Sequence, residues 1–153
     1  MSNSSRLGVR MLAVMAGAAI AVLALQGAWG QESQALPKGF KTTPVLKSGK
    51  TADGETLVYP KTDKAEIVSV IGTLDPGGRT PLHQHPVPVY VYVMEGALEV
   101  QTEGKAVRSY KAGEAFLETV GRWHQAFNKT DKAVKLLVVY VGEEGKPTTV
   151  TKQ

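Results

Sequence analysis

Three histidines are the residues of this sequence whose type and spacing could support chemistry. His83 and His85 are separated by one residue, His124 follows about forty residues later, and the chain of 153 residues contains no other histidine. A neutral imidazole is a good ligand for zinc, copper, nickel or iron. Alternate side chains of a strand point to the same side, so His83 and His85 could bind one metal ion. His124 could complete the site if its strand folds back to meet them.

The elements that must position these histidines are predicted to be short β-strands. Apolar residues alternate with polar ones from residue 56 onward, and glycine-containing turns such as Asp53-Gly54 and Glu95-Gly96 separate the runs. The predicted strands are residues 56–59, 66–71, 89–94, 97–101, 106–110, 115–118, 124–128, 134–141 and 148–151. Many short strands with regular turns indicate an all-β sandwich or barrel, and no helical period is sustained after residue 30.

Residues 1–30 have the pattern of a secretory signal peptide. Arg6 and Arg10 precede an uncharged apolar run at residues 11–25, and Ala28 and Gly30 supply small residues for cleavage. The alternative is an uncleaved anchor, but the run is shorter than the ~20 residues that a membrane span needs. Because the two arginines are not adjacent, the general secretory route is favoured over the twin-arginine route. We therefore expect a periplasmic or secreted protein with no membrane attachment after cleavage.

The remaining chain divides into an N-terminal arm at residues 31–55 and a β-barrel domain at residues 56–153. The arm is rich in proline, glycine and lysine, a composition that disfavours regular structure. Without residues 1–30 the chain has 16 basic and 14 acidic residues, and no clustered basic face suggests a nucleic-acid partner. The chain has no cysteine, so disulfides and thiolate ligands are excluded and stability must come from an apolar core.

Two segments carry a resemblance to a known family. The pattern Gly77-x5-His83-x-His85-x3-Val89-x6-Gly96 resembles the first cupin motif, and Gly113-x5-Thr119-x-Gly121-x2-His124-x3-Asn128 resembles the second. The chain is thus similar to a small single-domain cupin of the type-2 barrel kind. This resemblance implies a cupin double-stranded β-helix, also called a jelly-roll barrel. It also implies a homodimer and a small-molecule ligand or substrate.

The sequence departs from the cupin pattern at Val89 and Thr119. The first motif usually has a glutamate ligand where this chain has Val89, and the second usually has proline where it has Thr119. We expect the proline change to be a turn detail with little chemical consequence. Val89 shares odd numbering, and hence one strand face, with His83 and His85, so the glutamate change removes a ligand. The predicted metal ligands are therefore His83, His85 and His124, without a carboxylate. This donor set suits divalent iron, zinc, copper or nickel.

Other residues near the histidines have weaker claims to a role in the site. Asn128 shares the face of His124 and could orient a ligand, although a turn-forming role is as well supported, and Gln125 is a further nearby polar residue. Glu118 lies two residues after Phe116, on the same strand face, and could reach the mouth of the pocket. The sequence nevertheless favours an exposed carboxylate. Arg122 is a candidate anion-binding residue. Four aromatic residues are expected to pack away from the metal: Tyr90, Tyr92, Trp123 and Phe127.

Two function classes fit these residues. The first is an exported cupin-domain protein that holds a divalent metal in an apolar barrel and binds a small ligand. The alternative is a metal-dependent cupin enzyme, an oxygenase, isomerase or lyase, that acts on a small oxygen-rich substrate. No residue of the sequence stands out as a general base, which leaves catalysis open. A structural role with histidines that bind no metal is a third possibility.

Overall fold

The computed structural model describes residues 38–153, which form nine β-strands and no helix. The strands are β1 (Ala65–Leu74), β2 (His83–Gln84), β3 (Val89–Glu95), β4 (Ala97–Thr102), β5 (Arg108–Lys111), β6 (Ala115–Glu118), β7 (His124–Phe127), β8 (Val134–Glu143) and β9 (Val150–Thr151). The all-β prediction is confirmed for this part of the chain. These residues include no helix that is long and apolar enough to cross a membrane. The predicted signal peptide at residues 1–30 lies outside the described residues.

The strands form two antiparallel sheets. One has the order β1-β8-β3-β6, and the other has the order β5-β4-β7-β2-β9. The apolar core draws on both sheets, with Val91 and Leu136 from the first and Leu98 and Ala126 from the second. Every pairing joins antiparallel strands, so strands that are distant in the chain become neighbours. This topology allows the histidines of two separate segments to meet.

Most predicted strands are present, with shifted ends, but the strand predicted at residues 56–59 is wrong. This segment makes a single bridge between Thr56 and Lys50, and Leu57 donates its N–H to the Gly49 carbonyl. Val58 and Tyr59 are each 63% exposed, so their alternation does not mark a buried face. The prediction also missed β2, because a strand of two residues has no period to detect.

The four-stranded sheet is apolar on both faces. Val89, Val91 and Val93 point inward from β3 and are at most 2% exposed. The opposite side, here named the outer apolar face, is formed mainly by apolar residues around Ser69, as the strand registers show: Ile67, Ile71, Tyr90, Tyr92, Leu117, Leu137, Val139 and Val141. A nearly continuous apolar run, such as that of β8, is typical of a strand that is covered on both sides. The outer apolar face therefore suits a partner.

Asn128 fixes the loop between β7 and β8. Its buried amide donates to the carbonyls of Leu74, Asp75 and Lys132, and its Oδ1 accepts hydrogen bonds from Thr130. The turn-forming role considered for Asn128 is thus the one that the structure supports, and the amide is fully engaged.

We expect Asn128→Ala to lower the free energy of unfolding by about 2–3 kcal/mol, because the three hydrogen bonds that the amide donates are lost. Urea denaturation would measure this effect. Thr130→Val, which removes only the hydroxyl that bonds to Asn128, should cost less. An Asn128→Ala protein as stable as the unsubstituted protein would contradict this account.

Candidate metal centre

The structure brings the three histidines together. His83 in β2 lies directly opposite His124 in β7, and His85 follows β2 on the same side. The ring centroids are 4.4 Å apart for His83 and His124, 4.8 Å for His83 and His85, and 5.1 Å for His85 and His124. One ligand atom from each ring lies within 4.8 Å of the others. This spacing lets a single ion contact all three imidazoles.

A backbone carbonyl fixes the tautomer of each ring. The Nδ1 atoms lie 2.7 Å from Pro81 O for His83, 2.8 Å from Thr148 O for His85 and 2.9 Å from Arg122 O for His124. A carbonyl oxygen only accepts, so each Nδ1 carries the proton and donates it. In a neutral ring the Nε2 atom then has a free lone pair. This arrangement is the usual way in which proteins prepare histidines to bind a metal.

Glu118 is the residue that the sequence analysis misjudged. Its side chain is only 11% exposed, with Oε2 3.1 Å from His85 Nε2 and Oε1 3.4 Å from His124 Nε2. The expectation of an exposed carboxylate is therefore wrong. In the register between β3 and β6, Glu118 is the direct partner of Val89. Cross-strand partners share a sheet face, so the carboxylate missing at residue 89 is supplied from the adjacent strand.

These four residues fit a divalent metal ion. His124 Nε2 is buried and makes no hydrogen bond, since its 3.4 Å contact with Glu118 is too poor to count as one. Lone pairs of neutral imidazoles thus face carboxylate oxygens, which is unfavourable unless a cation lies between them. Three imidazole nitrogens and one carboxylate oxygen are a donor set that transition metals prefer.

The charges in this cluster predict how the metal-free protein titrates. Burial alone would raise the pKa of Glu118, but contacts with His124 and His85 outweigh burial and lower the pKa to about 2. Burial also opposes the charged form of His124, yet the Glu118 carboxylate outweighs it and raises the pKa of His124 above 6.5. Burial lowers the pKa of His83 below 6.5.

We therefore expect His124 to protonate at a higher pH than His83 in metal-free protein, as followed by NMR of the ring resonances. In Glu118→Gln the pKa of His124 should fall, because the carboxylate that stabilises its charged form is gone. Glu99→Gln, at a partly buried carboxylate that pairs with Lys129 outside the cluster, should leave both pKa values unchanged. Titration of His124 below His83 in the unsubstituted protein would contradict this assignment.

A cavity of about 230 Å³ adjoins the cluster. Its polar lining includes His83, His85, Glu118 and Tyr140. Its apolar lining includes Val70, Leu74, Val91, Leu98, Phe116 and Val138. The ring of Tyr140 lies 5.3 Å from the ring of His85, and burial raises the pKa of its phenol. Tyr140 was not among the residues predicted from the sequence, although its even number places it on the inner side of β8 with Val134 and Leu136.

Thr119 has a larger role than the expected turn detail. Its side chain is buried, and its hydroxyl donates to Asp53 Oδ2 at 2.8 Å and lies 3.1 Å from the Thr51 hydroxyl. The Asp53 carboxylate is 3% exposed and lies 3.8 Å from Arg108 Nε. The Ala52 N–H also donates to the carbonyl of Leu117. Residues 51–53 are thus attached to the end of β6, beside Glu118, by a hydroxyl that proline lacks.

The other candidate residues lie outside the cavity lining. Arg122 is half exposed and pairs with Glu55 at 3.0 Å, so its contribution to the centre is the backbone carbonyl that supports His124. Gln125 alternates with His124 along β7 and donates its amide to the Thr80 carbonyl. Trp123 lies beneath the ammonium group of Lys152, at 5.5 Å. Because the Arg122 side chain lies outside the cavity and already pairs with Glu55, its position argues against an anion-binding role.

A known protein family and several solved structures resemble this chain. The family described as Cupin domain matches residues 70–140, which include the three histidines and Glu118. Residues 70–140 of this chain form a cupin domain. Its two antiparallel sheets and the position of the histidines agree with this assignment, and the resemblance seen in the two motifs is confirmed.

Two solved structures illustrate the likeness of this cupin to larger proteins. DMSP lyase DddQ from Ruegeria pomeroyi DSS-3 is 23% identical with a TM-score of 0.50, over 56% of this chain and 43% of the lyase. Oxalate decarboxylase from Bacillus subtilis is 18% identical with a TM-score of 0.51, over 57% of this chain and 24% of the decarboxylase. The chain thus spans less than half of either protein, and the likeness concerns the fold. No curated protein sequence gives a significant match.

Proposed function

We propose that this cupin is an exported metalloprotein that holds one divalent transition metal in its barrel and binds a small ligand beside it. The observation that carries the proposal is a cluster of three imidazoles, each oriented by a backbone carbonyl, with a buried carboxylate beside the Nε2 atoms of two of them. His83, His85, His124 and Glu118 would hold the metal. Iron, zinc, copper and nickel are the candidates, and the carboxylate adds manganese to them.

The metal would polarise an oxygen atom of the bound ligand. The residues of the chain supply the rest of the environment. Glu118 offsets one of the two metal charges, and the carbonyl-bound Nδ1 atoms hold the imidazoles in place. Apolar side chains such as Val91 and Val138 line the cavity and make its wall less polar than water, which strengthens the electrostatic interactions beside it.

Elemental analysis of protein purified from the periplasm without an affinity tag would test metal binding. We expect about one metal ion per chain in the unsubstituted protein and none in the His83→Ala, His124→Ala double variant. Gln125→Ala, which alters the outward neighbour of His124, should retain the metal. Equal metal in the double variant and the unsubstituted protein would refute the proposed site. Mass determination of the same material would test export, since we expect cleavage near residue 30.

Catalysis is the second candidate function, and Tyr140 is the observation that favours it. This phenol lines the cavity beside His85 and is protonated at neutral pH, so it could donate a proton to a ligand oxygen. The similar folds of a lyase and a decarboxylase make these reaction classes candidates beside the oxygenase and isomerase classes. Oxygen uptake and product formation with diketones, flavonols and hydroxy acids would test this alternative. A metal-loaded protein that leaves the whole panel unchanged would favour the binding function.

We further propose that the outer apolar face binds a second copy of this chain. Charged pairs flank the apolar centre, with Lys135 and Glu95 at one end of β8 and Glu143 and Lys146 at the other. An apolar centre with a charged rim is typical of a protein interface. A two-fold axis near Val139 would set Lys135 of one copy over Glu143 of the other, so opposite charges would meet.

Light scattering after size-exclusion chromatography would test the homodimer. Val139→Glu places a charge at the centre of the outer apolar face and should yield monomers that still bind metal. Val107→Glu, at a side chain that is 49% exposed and lies outside this face, should remain dimeric. An unsubstituted protein that is monomeric, or a Val139→Glu dimer, would refute this interface.

A further inference from the structure

From the charge balance of the cavity we infer that its ligand is a compact monoanion with an apolar body, of the short-chain monocarboxylate class. This inference rests on the proposed metal site and adds to it the class of molecule that the site accepts. A divalent ion and the Glu118 carboxylate leave one positive charge in the cluster. One anionic oxygen group on the ligand would therefore neutralise the site.

A second negative charge on the ligand would have no partner. Among residues 38–153, no lysine or arginine lines the cavity. Arg79 is adjacent to the lining residue Thr80, but it bridges to Phe127 and shares the outward face of that residue. Arg108 is the neighbour of Asp53, and Arg122 is the neighbour of Glu55. An unpaired carboxylate in an apolar cavity is strongly unfavourable, so the site should discriminate against dianions.

The rest of the cavity suits a hydrocarbon. Val70, Leu74, Leu98, Phe116, Leu136 and Val138 form much of its wall. Its volume of about 230 Å³ lies below the range of about 300–1,000 Å³ that is typical of sites for drug-sized ligands. A molecule with a few carbons behind its anionic group would fill it. Each methylene that the wall covers should raise affinity by about fourfold until the space is full.

Butyrate and succinate provide a matched test, because a carboxylate in succinate replaces the methyl group of butyrate. We would load the protein with cobalt(II), measure the metal content, and follow the visible absorption spectrum of the metal during titration with each ligand. Butyrate should bind at least about tenfold more tightly than succinate. Affinity should rise from formate through acetate and propionate to butyrate.

A lysine introduced into the cavity wall should reduce the preference for butyrate over succinate. Val70 lines the cavity and is 43% exposed, so a lysine at this position can reach the second carboxylate of succinate. Val70→Lys should raise succinate affinity relative to butyrate by up to about fivefold, as expected for one favourable charge pair. Val70→Gln, similar in length and uncharged, should leave the ratio unchanged.

The outcomes separate this inference from the proposed function. Absence of stoichiometric cobalt would refute the metal site itself. A cobalt-loaded protein that binds succinate as tightly as butyrate would refute the monoanion inference and leave the metal site intact. Loaded protein whose spectrum responds to neither ligand would also refute the inference. A rise in succinate affinity with Val70→Gln as large as that with Val70→Lys would refute the role of charge.

Discussion

Metal binding lost on removal of the Glu118 carboxylate is expected to return when a carboxylate is placed at residue 89. Glu118→Val should weaken metal binding by at least about 100-fold, the upper end of the loss seen when a partner of a metal ligand is removed. Val89→Glu combined with Glu118→Val should recover most of this affinity. Directly opposed side chains lie about 4.5–5.5 Å apart, so a glutamate at residue 89 reaches the same ion. Competition with a chelator would measure the affinities.

The position of the carboxylate, and not its mere presence in the core, should decide the result. Val91→Glu combined with Glu118→Val places the group opposite Phe116, one pair further along, and should not restore binding. Val89→Glu alone should shift the metal preference toward manganese or iron, because two carboxylates then contact the ion. If the Val89→Glu, Glu118→Val double variant binds metal no better than Glu118→Val, residues 89 and 118 are not equivalent positions around the ion.

The second large effect is expected in thermal stability. A metal that binds the folded state at a concentration about 100 times its Kd stabilises the protein by about 2.7 kcal/mol. For a domain of this size, that gain corresponds to a rise in Tm of about 10 °C. Differential scanning calorimetry of metal-free and metal-loaded protein would measure the rise.

The His83→Ala, His124→Ala double variant should show no change in Tm when metal is added, because two of its four ligands are gone. A variant at the outer apolar face, Tyr90→Phe, should show the same rise as the unsubstituted protein. A rise in Tm of equal size in the double variant would mean that the stabilising ion binds elsewhere.

The main outline of the fold followed from the sequence because the strand period and the glycine turns are local signals. The sequence predicted that His83 and His124 lie close together, since three histidines in a two-motif pattern can share a metal only if their strands meet. Strand β2 was not predictable, because two residues cannot show an alternation. The segment at residues 56–59 gave a false signal, since alternation also occurs by chance in an exposed loop.

Glu118 shows why local reasoning fell short in the site. The parity of Phe116 and Glu118 already placed both side chains on one face, but a glutamate is rarely buried without a partner. Its partners, His85 and His124, come from other segments of the chain, so only the register between β3 and β6 reveals that Glu118 lies opposite Val89, where the motif's carboxylate is missing. A departure from a family motif should therefore prompt a search of cross-strand neighbours.

The long-range pairing of strands also sets the order in which the protein can mature. Strand β1 pairs with β8 along all ten of its residues, and β2 pairs with both β7 and β9. The carbonyl that orients His85 belongs to Thr148, 63 residues further along the chain. The histidine cluster is thus not fully oriented until the segment around β9 has paired with β2. Ion uptake would therefore follow closure of the barrel.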